Sequence, residues 1–320
     1  MAHQGSEKKS GLHPRNRYRN GYDFKALIAA HPPLGDFVQM HAGGRPTIDY
    51  ADAGAVKALN KALLLDAYKL DYWDIPDGYL CPPVPGRADY IHHLADLLTG
   101  SNRGKIPGGP QVRLLDIGTG ANSIYPIVGS HEYGWSFVGT DTDQGALTSA
   151  EAIMTGNDTL KDHLELRMQT QSDNIFDNVI RKEDLFDATM CNPPFFSSQE
   201  ESDKAGRRKF RNLGKREPDR DLRNFSGSAH ELHTPGGELA FVKRMVDESR
   251  NFRNQVLWFT CLVSRKENLP SIYNAFDKVE AVQVKTIPMS QGLKSSRFVA
   301  WTFLNATQHV AWSNHRFPPK

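Results

Sequence analysis

Val112 opens an apolar run, Leu114-Leu115-Asp116-Ile117, that ends in Gly118-Thr119-Gly120-Ala121-Asn122. A continuous apolar segment turning into glycines reads as a buried parallel strand feeding a glycine-rich loop. Parallel strands need crossover connections and cover on both sheet faces, so this run constrains the chain to an α/β layer fold. Gly118 and Gly120 let the backbone approach a ligand closely. The dinucleotide fingerprint G-x-G-x-x-G/A is the competing reading. Ser123 stands at its third position and Pro126 follows, so the pyrophosphate version fits badly. An acid ahead of the glycines, Asp116, suits S-adenosylmethionine, which has no phosphate and carries an ammonium group.

A second strand-like run, Phe137-Val138-Gly139-Thr140, ends at Asp141. An acid there can accept hydrogen bonds from both ribose hydroxyls. It could equally open the next helix, with Asp143 as the cap. Strands are expected near 112–117, 135–140, 164–168, 186–191, 256–263, 281–287 and 297–304, with helices near 144–155, 173–181, 237–251 and 267–277. The pattern fits a seven-stranded, mostly parallel sheet whose last strand runs antiparallel, in the Rossmann-like class I manner. Ahead of it, Val56, Leu59, Leu63, Ala67 and Leu70 share one face of a helix over 52–70. A proline-rich segment, 76–87, delivers Arg87 to the start of a helix over 88–99 that Gly100 ends.

The fourth strand leads into Asn192-Pro193-Pro194-Phe195. The carboxyl end of a strand is where open α/β sheets build their sites. The residue types match a definite chemistry. A planar exocyclic amine such as the 6-amino group of adenine is a poor nucleophile, because its lone pair is delocalised into the ring. Acceptors on both N–H bonds favour the tetrahedral nitrogen that attacks a methyl group. Asn192 offers a side-chain oxygen and Pro193 a backbone carbonyl. Consecutive prolines hold the backbone extended and remove competing donors. Phe195 offers a face on which a flipped base can stack. A rigid strand-ending turn is the plainer reading of the motif alone. Acid and glycines, then a ribose acid, then Asn-Pro-Pro-Phe, is the order of an amino-methyltransferase.

His13-Pro14-Arg15-Asn16-Arg17-Tyr18, the run from Pro82 to His92, Asp116 to Gly120, Cys191 to Phe196 and Gly236-Gly237-Glu238-Leu239 together resemble the F-type 23S ribosomal RNA adenine-N(6) methyltransferases of bacteria. The eukaryotic methyltransferase-like protein sixteen is similar. The resemblance runs from about residue 11 to 305. It implies methylation of one adenine of large-subunit RNA, with cofactor contacts at Arg87, Gly118, Asn122, Asp141 and Ser172. It places the catalytic motif on Asn192 to Phe195. For Arg87 a surface salt bridge is the plainer reading; the resemblance assigns its guanidinium to the methionine carboxylate. The eukaryotic relative has Glu where Asp141 stands, and the resemblance does not extend to its C-terminal extension.

Charge adds a partner. Residues 1–25 carry six Lys/Arg against two acids and residues 204–223 nine against three, which leaves the rest at −8 within a total of +2. An acidic body with two basic patches points to a focused polyanion site. Arg15, Arg17 and Arg19 in the first patch and Arg207, Arg208, Lys209 and Arg211 in the second are the candidate RNA contacts. Solvated, disordered segments are the alternative. Residues 1–20 read as disordered, with Tyr18 and Tyr22 placed to stack bases or to anchor the tail. Residues 197–235 read as a long basic loop beside the site. The domains expected are 1–85, a basic tail and helical extension serving RNA binding, and 86–310, the methyltransferase.

Cys81, Cys191 and Cys261 fit no disulfide or zinc spacing, and the histidines no metal spacing, so a reduced cytoplasm and no metal are expected. No apolar run of membrane-spanning length occurs, and a monomer is expected. Two rivals stand beside RNA adenine methylation. One is methylation of another planar nitrogen, a protein glutamine amide or a different RNA or DNA adenine. The other is a fold retained as an RNA-binding platform without turnover.

Overall fold

The structure is a computed structural model and describes residues 11–41, 43–196, 234–291 and 294–318. Its centre is a seven-stranded sheet. The strands are β3 (Arg113–Ile117), β4 (Ser136–Asp141), β5 (Leu164–Met168), β6 (Phe186–Cys191), β7 (Val256–Val263), β8 (Gln283–Gln291) and β9 (Lys294–Thr302). Their order is β5-β4-β3-β6-β7-β9-β8. The first five in that order are parallel; β9 runs antiparallel to both neighbours. The chain moves outward from β3 through β4 to β5, then returns to the other side of β3 as β6. That reversal opens a crevice at the carboxyl ends of β3, β4 and β6.

Successive side chains sort onto opposite faces, as strand geometry demands. Leu114 and Phe137 join one buried cluster, Leu115 and Val138 the other. The first face is covered by α2 (Ala53–Ala67), α3 (Val84–Thr99) and α4 (Ile124–Tyr133), which put Leu59, Leu63, Ile91, Leu94 and Val128 into its cluster. The second takes Val242, Met245 and Val246 from α7 (Gly237–Ser249) and Ile272 and Phe276 from α8 (Leu269–Lys278). Each fully buried aliphatic side chain contributes about 1.5–3 kcal/mol. Close packing fixes the glycines as well. A Cβ at Gly129 of α4 would stand 2.3 Å from the Phe137 ring. On the edge of this face lie α1 (Phe24–Ala30), capped by the Asp23 side chain, and a small antiparallel pair, β1 (Val38–Met40) and β2 (Pro46–Ile48).

Several expectations change. Residues 11–20 are folded onto the body: His13 and Asn16 are buried, and Asp89 of α3 accepts the His13 N–H at 2.7 Å and the Asn16 amide at 3.0 Å. Tyr18 anchors rather than projects, donating to the Leu63 carbonyl at 3.2 Å. α3 starts at Val84, so Arg87 lies in its first turn; Pro85 is tolerated there because the first N–H groups of a helix have no partner. No helix forms over 173–181, where the chain makes turns. Asn178 is left-handed, φ +65°, and the Glu248 carboxylate takes the N–H groups of Ile175, Phe176 and Asp177 at 2.8, 2.7 and 2.6 Å. α4 was not among the expected helices; its Pro126 sits within the first turn, where a missing N–H costs no bond. α5 (Gln144–Thr155) matches its expected span, and a short turn of helix, α6 (Asp158–Lys161), follows it. The fold also runs past residue 310. There α9 (Ala306–Arg316) sends Trp312 and Arg316 onto the buried Asp187 of β6, at 2.8 and 3.0 Å.

Candidate active site

The carboxyl ends of β3, β4 and β6 surround a cavity of about 360 Å³. Its floor is the loop after β3. Gly118 and Gly120 hold φ of +71° and +66°, values that L side chains adopt only with strain. The N–H groups of Gly118 and Thr119 both donate to the Thr140 carbonyl at 2.9 Å, which folds the loop onto β4. A Cβ at Gly139 would press on Thr119 at 3.0 Å, so that strand glycine lets the loop close.

Asp141 ends β4 on the cavity wall. One carboxylate oxygen accepts the Gly120 N–H and the other the Asp143 N–H, each at 3.0 Å. Each oxygen keeps a lone pair for a ribose hydroxyl. Burial raises the Asp141 carboxyl above the usual range, and those backbone donors hold it down. Asp143 is the cap of α5, receiving the Gly145 N–H at 2.8 Å, so the two acids have separate tasks.

Asp116 lies fully buried within β3. Neither of its oxygens has a hydrogen bond of normal geometry. Burial pushes its carboxyl up to about 7; the Thr119 hydroxyl opposes the shift and the charge of Asp141 adds to it. Thr119, Ser123 and Thr140 also carry buried hydroxyls without partners. Unmet buried polar groups are costly, and a cluster of them calls for a ligand. The set fits a cofactor with an ammonium, a carboxylate and a ribose. Arg87 reaches the wall with its guanidinium 2.9 Å from the Tyr125 hydroxyl and over that ring at 5.7 Å. Asn122 lines the cavity while its side chain ties the loop, donating to the Leu80 carbonyl at 3.3 Å and accepting from Ile124 at 3.1 Å. Ser172 is exposed on the opposite rim.

At the end of β6, the Asn192 side-chain oxygen is buried and unpartnered. Asn192 and Pro194 line the cavity; Pro193 is buried and Phe195 half-buried, both off the wall. Cys191 is buried beside Cys261, whose thiol burial pushes well up, so both serve packing. The Phe196 carbonyl accepts the Thr234 N–H at 3.1 Å, so the chain leaves and re-enters this rim at one point. Arg207, Arg208, Lys209 and Arg211 lie outside the described residues. Of the other basic candidates, Arg15 pairs with Asp96 at 2.7 Å and Arg17 with Glu132 at 2.6 Å, while Arg19 is exposed. His13, His93 and Asp96 gather within 4.8 Å, the one group among the described residues with metal-like proximity. Hydrogen bonds already occupy two of them: His13 meets Asp96 at 2.9 Å and accepts the Arg15 N–H at 3.1 Å.

Sequence reasoning missed Tyr125, Gln169 and Arg244, which all line the cavity. Gln169 holds the 171–177 turn by donating to the Asp177 carbonyl at 2.8 Å and accepting from Gln171 at 2.9 Å. It follows β5 directly, the one signal that could have marked it.

Residues 6–305 match the profile of an RNA methyltransferase family. The chain belongs to that family. It is similar to the ribosomal RNA large subunit methyltransferase F of Serratia proteamaculans, 52% identical over 312 residues, which covers 97% of this chain and 93% of the relative. Among solved structures it is similar to the hMettl16 catalytic domain in complex with the MAT2A 3'UTR hairpin 1, with a TM-score of 0.78 and 31% identity over 93% of this chain and 97% of the other. The N-terminal domain of human METTL16 in complex with SAH aligns with a TM-score of 0.73 and 28% identity over 92% of this chain and 100% of the other. This RNA methyltransferase therefore has the fold of those catalytic domains.

Proposed function

We propose that the protein transfers a methyl group from S-adenosylmethionine to the 6-amino group of one adenine in 23S ribosomal RNA. The buried, unpartnered Asn192 oxygen, set on the same cavity as Asp141 and the Gly118 loop, carries this reading. When bound, the cofactor supplies a methyl carbon already activated by its sulfonium. Asp141 takes the ribose, Asp116 the ammonium through or beside the glycine loop, and Arg87 the carboxylate; Gly118, Gly120, Asn122 and Ser172 complete the seat. Asn192 and the Pro193 carbonyl accept from the two N–H bonds of the target amine and stabilise the charge that develops on nitrogen. Phe195 offers its ring to the flipped base. Positioning and exclusion of water carry most of the rate. No general base is required, because the methylated ammonium is strongly acidic.

Arg15, Arg17, Arg19, Arg207, Arg208, Lys209 and Arg211 supply phosphate contacts. Residues 1–85 act as the RNA-binding accessory to the methyltransferase domain that follows. The protein works as a cytoplasmic monomer without metal. None of the described helices is long and apolar enough to cross a membrane. The test is methyl transfer to 23S RNA from a strain lacking this protein, followed by mass mapping. One adenine gaining a single methyl group is the expected result. Label appearing on a protein glutamine, or on no acceptor, overturns the assignment.

A further inference from the structure

Among the described residues, two cationic side chains line the cavity, Arg87 and Arg244. Arg87 donates to the Tyr125 hydroxyl, lies over that ring and is assigned above to the cofactor carboxylate. Arg244, on α7, carries no such assignment. Its Nε is buried without a hydrogen-bond partner. Among the described residues its one ionic neighbour is Asp173, at 3.7 Å and with a side chain 97% exposed. Such a solvated, long pair contributes little and exchanges readily. Phe241, one turn earlier, lies 5.6 Å beneath the guanidinium and keeps it over the cavity. A buried N–H without an acceptor is costly unless a ligand meets it.

The ligand follows from counting charges. S-adenosylmethionine has one anionic group, its carboxylate, and Arg87 takes it. The sulfonium and ammonium repel a second arginine. The remaining anion that an RNA substrate brings to this cavity is a phosphate. Arg244 shares the wall with Asn192, Pro194 and Thr234, on the rim where Thr234 meets Phe196. A guanidinium is the group that grips a phosphate with two parallel bonds. We propose that Arg244 binds a phosphate flanking the nucleotide whose base enters the cavity, and so sets the depth to which that base is drawn toward Asn192. This rests on the RNA adenine reading above.

The test uses the full-length protein with Arg244→Met and Arg244→Lys. Affinity for a 23S RNA fragment, with S-adenosylhomocysteine bound, is measured across a salt series. Arg244→Met is expected to bind RNA roughly tenfold more weakly, with the salt slope flatter by about 0.7. Arg244→Lys should recover part of the affinity and all of the slope, since the charge remains. S-adenosylhomocysteine affinity should be unchanged in both. A neutral methylphosphonate placed beside the methylated adenine should cost wild type the same factor and cost Arg244→Met nothing further. Loss of S-adenosylhomocysteine affinity with RNA binding intact would move Arg244 to the cofactor and overturn the proposal, as would wild-type RNA binding by both variants. A wild-type protein that binds the RNA and methylates no adenine overturns the functional reading instead, while the salt series still decides Arg244.

Discussion

Two polar clusters lie about one sheet, and they differ in what they leave open. Around His13 nearly every group meets another, the buried His92 Nε2 being the exception among the described residues. Asp89 takes the His13 N–H and the Asn16 amide, Asp96 takes His13 and Arg15, and His92 meets the Tyr133 hydroxyl at 2.7 Å. At the end of β3, both oxygens of Asp116, the hydroxyls of Thr119, Ser123 and Thr140, and the Asn192 oxygen make no hydrogen bond of normal geometry among the described residues. Burial alone does not separate them, since both clusters contain charged residues under 3% exposed. Satisfaction does. A closed network fixes a segment to the body; an open one holds donors and acceptors ready for a ligand. The His13 cluster has metal-like composition and is architecture. The Asp116 cluster is the site.

The largest expected effect comes from the open cluster. Asn192→Ala should lower single-turnover methyl transfer by ~10²–10³, the scale for removing one group that meets charge in the transition state. Because the oxygen has no partner to lose, urea denaturation should give the same stability as wild type to within ~0.5 kcal/mol. Asp89→Ala is the counterpart in the closed cluster. It strands the His13 N–H and leaves the Asn16 amide only its bond to the Pro85 carbonyl at 2.8 Å, and should cost ~1–3 kcal/mol of stability. S-adenosylhomocysteine binding by calorimetry should persist below the new melting point. Asn192→Ala destabilising the fold, or Asp89→Ala abolishing cofactor binding in folded protein, would erase the distinction.

The open half was the legible half. Asp116, Gly118, Gly120, Asp141 and Asn192 stand next to strand ends, so chain order alone placed them at one edge of the sheet. The expected strands near 164–168, 186–191 and 256–263 coincide with β5, β6 and β7. β7 is a continuous apolar run buried along its whole length, while β5, Leu-Glu-Leu-Arg-Met, alternates apolar and charged residues as a partly covered edge strand does. What stayed hidden depends on contacts remote in sequence. Arg15 looked like a free cation because its partner is 81 residues away. The helix expected over 173–181 is displaced by Glu248, about seventy residues on, which takes the N–H groups of three residues. Arg244 reads as one more charge on an amphipathic helix; only the bend of the chain at Thr234 puts it over the cavity.

A smaller effect comes from pH. Burial holds the Asp116 carboxyl up at about 7, so the ligand-free protein keeps its proton where the unfolded chain, with an ordinary carboxyl, has lost it. A raised folded value stabilises the fold fully below the ordinary carboxylate range, and that contribution is lost as pH rises through about 7. Binding an ammonium needs the ionised form. S-adenosylhomocysteine affinity should therefore fall as pH drops below about 7, by up to roughly tenfold per unit, with proton release on binding. Calorimetry at pH 6–8 in buffers of different ionisation enthalpy measures both. Asp116→Asn should bind more weakly at pH 8 and show no pH slope from this group. A pH-independent wild type would mean that the ammonium is met elsewhere.

The smallest expected effect lies in the closed cluster and concerns RNA. Arg15 and Arg17 are half-exposed cations, each facing an acid of the body, and both are held more firmly protonated by it. Exposed pairs of this kind are worth about 0.2–1 kcal/mol. A phosphate that approaches Arg15 must share it with Asp96, or Arg17 with Glu132, so the local field is already partly neutralised. Arg19 is exposed, with no acid among its hydrogen-bond or ion-pair partners in the described residues. Arg19→Ala should thus flatten the salt dependence of RNA binding by up to about 0.7. Arg15→Ala and Arg17→Ala should each do less than half as much, while lowering stability by no more than about 1 kcal/mol. The measurement is RNA affinity between low and moderate salt for the three single variants. If Arg15→Ala or Arg17→Ala loses as much slope as Arg19→Ala, the cluster must open when RNA binds. Hydrogen exchange at residues 11–20 would then rise with RNA present, and the division between a closed architectural cluster and an open functional one would hold only for the free protein.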